Sequence, residues 1–395
     1  MTTTALPTTP RAEPSSVWDT LVGQRRVVET LRGAAAGDGM SHAFLFTGPP
    51  GSGRSNAAIA FAAALQCEEQ PPGCGVCHSC HTVLAGTHAD ITVVRTDRLS
   101  IGVDEVRDLV RRSALAPVGR RWQVMIVEDA DRLTEQAANA LLKTIEEPTD
   151  RTVWMLCAPT VEDLLPTIRS RCRLVTLATP SVGEVAEFLV RHDGIDGALA
   201  SYCARASQGH IGRARALARD EGARNRRKEV VSIPARLTSL ASCMNAAANL
   251  VETTQEEAEV IAGELDARER ADLDASYGVV ERGRRPREYA PAVSALERAQ
   301  KTRAKRRHLD VVDRSLMDLA SVYRDAIAMA TAGDVALVNE ELRRDLEQIV
   351  GSSGPELNLR RIGWIFEARE QMLDFNVPVP LALESLMVAL KAPSR

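Results

Sequence analysis

Three groups of residues have the types and spacing that chemistry requires. The first is the stretch His42 to Ser55, H-A-F-L-F-T-G-P-P-G-S-G-R-S. Gly48, Gly51 and Gly53 punctuate a turn between an apolar run and a segment with helical character, the setting in which backbone N–H groups cradle phosphate at a helix N-terminus. The pattern G-x-x-x-x-G-R-S, ending at Ser55, is a P-loop in all but one position, with Arg54 in place of lysine. Arginine is longer, planar and forked where lysine is a compact point charge. The loop is therefore expected to keep a phosphate-binding shape while hydrolysis is compromised; the plain alternative is an ordinary glycine turn. The second group is Cys67-x6-Cys74-x2-Cys77-x2-Cys80. Four thiolates with two tight C-x-x-C steps suit a closed, structural tetrahedral Zn²⁺ site. Free thiols are the bland reading, and a redox pair would leave two cysteines unexplained. His78 and His81 lie inside the cluster and are read as surface residues, since four sulfurs fill the shell. The third is Glu128-Asp129, ending the apolar run Gln123 to Val127. Such a carboxylate pair beside a P-loop can hold Mg²⁺ and polarise a water; by itself it is also a common acidic turn.

These residues need a scaffold. The chain has 395 residues, enough for two or three domains with their own cores. Its 45% hydrophobic and 26% charged residues are those of a soluble globular protein, and aromatics at 4% favour helices over a β-sandwich. The net charge of −4 gives no bulk attraction to nucleic acid or membrane. No signal-peptide pattern opens the sequence and no apolar run approaches a membrane span, so a reducing cytoplasm is expected, in which cysteines are thiols or metal ligands.

Short apolar runs at 43–47, 91–94, 123–127, 153–157 and 174–177 alternate with helical patterns, among them Val103 to Leu115 and Thr134 to Pro148. That alternation predicts a parallel α/β sheet. Residues 1–15 read as a disordered tail, 16–179 as the nucleotide-binding-like α/β module with the cysteine insertion at 67–80, 180–228 as a helical lid, and 229–395 as a helical C-terminal domain. Within the last, Leu316, Leu319, Tyr323 and Ile327 repeat at helical spacing, as do Leu383, Leu386, Met387 and Leu390. Residues 252–310 are a charged insertion, acidic over Glu252–Asp274 and basic over Arg282–Arg307, for which a solvated helical hairpin or a mobile insertion is the default. Nucleic-acid contact by Lys301 to Arg307 is the sharper alternative.

Taken in order, H-A-F-L-F-T-G-P-P-G, the four-cysteine insertion, A-N-A-L-L-K-T-I-E-E-P and Ser170-Arg171-Cys172 resemble the marks of bacterial clamp-loader subunits, AAA+ proteins of the DNA polymerase III holoenzyme. The resemblance is strong from residue 17 to about 220. It implies an AAA+ module, a lid and an all-α collar for assembly. It also implies partners: gamma/tau and delta-type subunits, the sliding clamp and, through the complex, primer–template DNA. The enzyme implied is the DNA-directed DNA polymerase (nucleotidyltransferase) complex of which such a subunit is part.

Within that family the sequence is more similar to the delta-prime type than to the gamma/tau motor. Arg54 replaces the P-loop lysine, Glu128-Asp129 replaces Asp-Glu, and the next strand ends Cys157-Ala158-Pro159 where motors carry a polar sensor. Asp129 is one methylene short for a water-activating role, which matters where sub-ångström placement counts. The S-R-C motif is intact, and in the family its arginine serves a neighbour's γ-phosphate in trans. The resemblance thus implies a catalytic role for Arg171 on another subunit's ATP, with Gly48, Gly51, Gly53, Arg54, Ser55, Glu128 and Asp129 as a degenerate nucleotide site for ATP and Mg²⁺. Arg213 is a weaker lid candidate, its alignment slipping by one residue. The rival readings are an active gamma/tau-type ATPase and a AAA+ scaffold unrelated to replication.

Overall fold

The computed structural model describes residues 16–96, 100–119, 121–277, 287–331, 333 and 335–391, with main chain only at 261, 262 and 264. The tail read over 1–15 and the part of the basic run at 282–286 lie outside the described residues. The chain forms two compact units, Met1–Arg215 and Ala216–Arg395.

The first unit is built on five strands: β1 (Ala43–Thr47), β2 (Ile91–Val94), β3 (Gln123–Val127), β4 (Thr152–Ala158) and β5 (Arg173–Thr176). All pair in parallel, in the order β2-β3-β4-β1-β5. A sheet covered on both faces reads as continuous apolar runs, which is why every residue of β1, β3 and β4 is buried. Side chains alternate between two cores. Phe44, Phe46, Ile126, Met155 and Cys157 face one side, where α1 (Arg25–Ala35) and α2 (Arg54–Gln66) pack. Leu45, Met125, Val127, Trp154 and Leu156 face the other, against α4 (Val103–Ser113), α5 (Glu135–Glu146) and α6 (Pro166–Arg169). This is the parallel α/β sheet expected from the alternation of apolar runs with helical patterns. Between α2 and β2 lies α3 (His78–Leu84), a short helix inside the cysteine insertion. Thr134 caps α5 with its side chain, accepting from the Ala137 N–H, so that helix starts one residue later than its apolar pattern suggests.

Two helices follow the sheet, α7 (Val182–Asp193) and α8 (Gly197–Ala206), and α9 (Ile211–Arg219) spans the division between the units. Ser181 and Glu184 form a capping box at the start of α7.

Among its described residues the second unit's regular elements are helices: α10 (Glu221–Arg236), α11 (Leu240–Ser276), α12 (Tyr289–Ala330), α13 (Arg343–Ser352), α14 (Pro355–Leu373) and α15 (Val379–Leu390). Leu316, Leu319, Tyr323, Leu383, Leu386, Met387 and Leu390 join one core. The charged stretch is the distal part of α11 and α12. Their ion pairs run Glu257–Arg314, Asp266–Arg303 and Arg270–Glu297, so rising numbers on one helix meet falling numbers on the other and the two are antiparallel.

A polar cluster is buried in this unit. The Arg227 guanidinium, 2% exposed, reaches Asp318 at 3.2 Å, Asn339 at 2.5 Å and Glu341 at 3.3 Å. Removing one partner of such a pair strands the other charge in the interior. Arg227→Ala is expected to destabilise this unit by about 3–5 kcal/mol. Urea unfolding followed by circular dichroism should show its transition moved to lower denaturant; an unmoved transition would mean water replaces the arginine without penalty.

Candidate functional site

The glycine-rich turn lies between β1 and α2. Gly53 is the N-cap of α2, and Arg54 and Ser55 are its first residues, so the loop faces the positive end of a buried helix. Gly51 has φ +84°, and a Cβ there would strike the His210 ring; a Cβ on Gly48 would come within 2.6 Å of the Leu177 carbonyl and Ser52 Oγ. Glycine is required at both points by close approach of other chain segments. Arg54 turns back on its own loop, its Nη1 donating to the Gly48 carbonyl at 2.9 Å. Gln24 holds the rear of the loop: its amide nitrogen donates to the carbonyls of Ala178 (2.6 Å) and Ser52 (3.5 Å), and its amide oxygen accepts from the Ala178 N–H at 3.2 Å. His210, just before α9, accepts the Arg213 N–H on Nδ1 at 3.2 Å while its ring covers Gly51.

Glu128 and Asp129 follow β3 directly. Glu128 is 7% exposed and is engaged by Arg95, at the end of β2, through Nε at 2.6 Å and Nη2 at 3.1 Å. A bidentate guanidinium satisfies both oxygens of this carboxylate. Asp129 immediately precedes a short 3-10 turn, Ala130–Arg132, without a side-chain cap bond to it. Burial pushes the carboxyl of Asp131 above the usual carboxylate range; the charge of Asp129 adds to the shift and that of Arg54 opposes it. Cys157 and Ala158 end β4 fully buried, and burial raises the Cys157 thiol strongly. The loop, the acidic pair and the apolar end of β4 are thus brought to one edge of the sheet. Arg95, Gln24 and His210 were not evident from the sequence, because each acts through a contact between distant segments.

The four cysteines converge. Their sulfurs all lie within 4.8 Å of one another, with Cys77 Sγ and Cys67 Sγ at 4.0 Å. Tetrahedral Zn–S bonds of about 2.3 Å would set sulfurs about 3.8 Å apart, so the donor set fits a metal ion with little movement. Backbone N–H groups are already aimed at sulfur: Cys74 N–H to Cys67 Sγ at 3.5 Å, Cys77 N–H to Cys74 Sγ at 3.3 Å, and Cys80 N–H to Cys77 Sγ at 3.4 Å. For Cys67, burial works against the thiolate, but hydrogen bonds from the Cys74 and Gly73 backbone prevail and bring the thiol down to about 7. Burial pushes the Cys80 thiol up in the absence of a cation. The insertion is tied to the chain before α1, with the Val17 N–H and Ser16 Oγ donating to the Gly73 carbonyl and Trp18 Nε1 to that of Pro72.

Arg171 lies in the turn between α6 and β5, its side chain 38% exposed. Its Nη1 donates to the Thr167 carbonyl at 2.8 Å and Ser170 Oγ at 3.2 Å, and its Nη2 meets Glu146 at 2.6 Å. Arg213 lies in α9, and its N–H donates to His210 Nδ1.

Residues 23–181 match the family model described as DNA polymerase III, delta subunit. The chain is 40% identical over 154 residues to DNA polymerase III subunit gamma/tau of Mycobacterium tuberculosis (strain ATCC 25618 / H37Rv), covering 38% of this chain and 27% of that protein. It is 39% identical over 156 residues to subunit delta' of Pseudomonas aeruginosa, covering 38% and 47% of the respective chains. Against subunit delta' of Bacillus subtilis it is 32% identical over 171 residues, covering 43% and 52%. The matches thus span about half the length of the delta' relatives and about a quarter of the gamma/tau relative.

Proposed function

We propose that this chain, whose residues 23–181 match the DNA polymerase III delta-subunit family, is a clamp-loader subunit of the delta-prime type. In this reading it acts as a stator: it holds the ring of gamma/tau and delta-type subunits together and contributes Arg171 to a neighbour's ATP, while the complex opens the sliding clamp onto primed DNA in the cytoplasm. The observation that carries it is a contrast within one module. The chain's own phosphate loop is closed on itself by the Arg54–Gly48 contact, whereas Arg171 stands at the surface with its motif intact.

The functional division follows the proposed AAA+ module at 16–179, lid at 180–228 and collar at 229–395. Gly48, Gly51, Gly53, Arg54, Ser55, Glu128 and Asp129 form the residual nucleotide site. ATP would bring its phosphates to the N-terminus of α2, and Mg²⁺ would meet Ser55 and the acidic pair. Entry requires Arg54 to leave the Gly48 carbonyl and His210 to lift from Gly51. The Arg95–Glu128 pair competes for one of the metal's carboxylates. Cys67, Cys74, Cys77 and Cys80 hold structural Zn²⁺, which contributes shape and no chemistry to the reaction.

The isolated chain is expected to hydrolyse ATP no faster than background even at saturating nucleotide. Arg54→Lys alone is expected to leave it inactive, because Asp129, the Arg95–Glu128 pair and the apolar end of β4 remain. Strong turnover by the unaltered chain would replace the stator reading with that of a gamma/tau-type motor. Failure to co-purify with other loader subunits would instead favour a AAA+ scaffold outside replication.

A further inference from the structure

The finger side chain is held by its own chain, and one of its anchors is electrostatically misplaced without it. Glu146 is the last residue of α5, where the helix presents unpaired carbonyls and a partial negative charge. A carboxylate there is at the unfavourable end of the helix. Its Oε1 lies 2.6 Å from Arg171 Nη2. Both Nη1 contacts of Arg171 go to the C-terminal side of α6, to the Thr167 carbonyl and to Ser170 Oγ. Two helix C-termini from different parts of the sequence therefore converge on one guanidinium. An arginine with a side chain 38% exposed would ordinarily sample many rotamers; this one has three anchors. Two are hydrogen bonds from Nη1 and the third is an ion pair at Nη2, so the Nε hydrogen takes no part in these three contacts.

We propose that Glu146 is a positioning residue for Arg171: it fixes the guanidinium in the orientation from which it meets a neighbouring subunit's phosphoryl group. The role rests on the reading of Arg171 as a finger in trans. Glu146 itself touches no substrate. Its effect is to remove the search over arginine rotamers before the transition state forms, when placement matters most. The negative end of α5 and the carboxylate together attract the guanidinium, so the anchor holds until a stronger anionic acceptor takes the remaining donors.

The test uses the reconstituted loader carrying Glu146→Ala, Glu146→Gln, Arg171→Ala or the Glu146→Ala/Arg171→Ala pair, each checked for assembly by size. Glu146→Ala is expected to lower kcat at the served site by about three- to fivefold with KM for ATP little changed, since misplacement of a catalytic group acts on the transition state and the anchor is a half-exposed ion pair. Glu146→Gln is expected to recover only part of the rate, because the amide lacks the charge that pairs with the guanidinium. In the Arg171→Ala background, Glu146→Ala is expected to cost nothing further. A wild-type rate for Glu146→Ala in a loader that Arg171→Ala damages would overturn the positioning role alone. So would an equal loss in both backgrounds, which would mark Glu146 as acting elsewhere. If Arg171→Ala is itself silent, the finger reading fails and the positioning role falls with it.

Discussion

Replacing Arg171 with alanine is expected to leave the chain folded and assembled while slowing hydrolysis at the one neighbouring site it serves by roughly 10³–10⁵-fold. The fold should survive because the residue lies in a surface turn. The ion pair it loses, to the half-exposed Glu146, belongs to a class worth only about 0–1 kcal/mol. The rate should not survive, because a finger neutralises charge as it spreads over the transferred phosphoryl oxygens. In a loader with several ATPase sites the overall loss is smaller, since the other sites keep their own fingers. Arg171→Lys should rescue poorly: an ammonium cannot donate to Thr167, Ser170 and Glu146 and still present a fork outward. The measurement is DNA- and clamp-stimulated ATP turnover by reconstituted complexes, beside clamp loading. Unchanged rates in a correctly assembled mutant complex would make Arg171 a structural residue of its turn and end the finger reading.

What the sequence disclosed and what it hid divide along a physical line. The glycine-rich turn between β1 and α2, the convergence of the four cysteines and the five strands were legible because each is encoded locally, by glycine positions, short cysteine spacings or runs of apolar residues. The closing of the loop was not. Whether Arg54 reaches outward or folds back to Gly48, and whether Glu128 is available or taken by Arg95, depends on side chains brought together by the tertiary fold. Glu146 was visible in the motif string, but only the geometry reveals its partner. The charged stretch at 252–310 illustrates a different limit. Its change of composition suggests an insertion with its own boundaries, yet the backbone runs unbroken through α11 over 37 residues and α12 over 42. Gly263 within α11 lowers helix propensity by only about 1 kcal/mol, and Pro291 sits in the first turn of α12, where the missing N–H has little consequence. Composition changes near 252 and 310, inside helices that run on through both positions.

Removing the metal is the second large effect expected. The protein prepared without added metal should carry about one Zn²⁺ per chain, held by Cys67, Cys74, Cys77 and Cys80. Structural zinc in small peptides contributes on the order of 10–16 kcal/mol of binding free energy, much of it realised as folding of the loop around the ion. Here the loop has other supports. Cys67 and Cys80 are fully buried in the core that also contains Phe61, Val17 and Trp18, and the Gly73 and Pro72 carbonyls are hydrogen-bonded to the segment before α1. Chelation or Cys80→Ser should therefore loosen residues 67–84 together with 16–21, and leave the second unit's helices protected. Without the cation, sulfurs within 4.8 Å of one another cannot all be thiolates, since their charges repel; the site must reprotonate or spread apart. Hydrogen exchange resolved by segment, run beside elemental analysis, separates the outcomes. Fast exchange confined to those two stretches on metal removal is the expected result. A folded, metal-free protein with four titratable thiols and unchanged exchange over 67–84 would show that packing alone shapes the cluster, and the zinc assignment would be withdrawn.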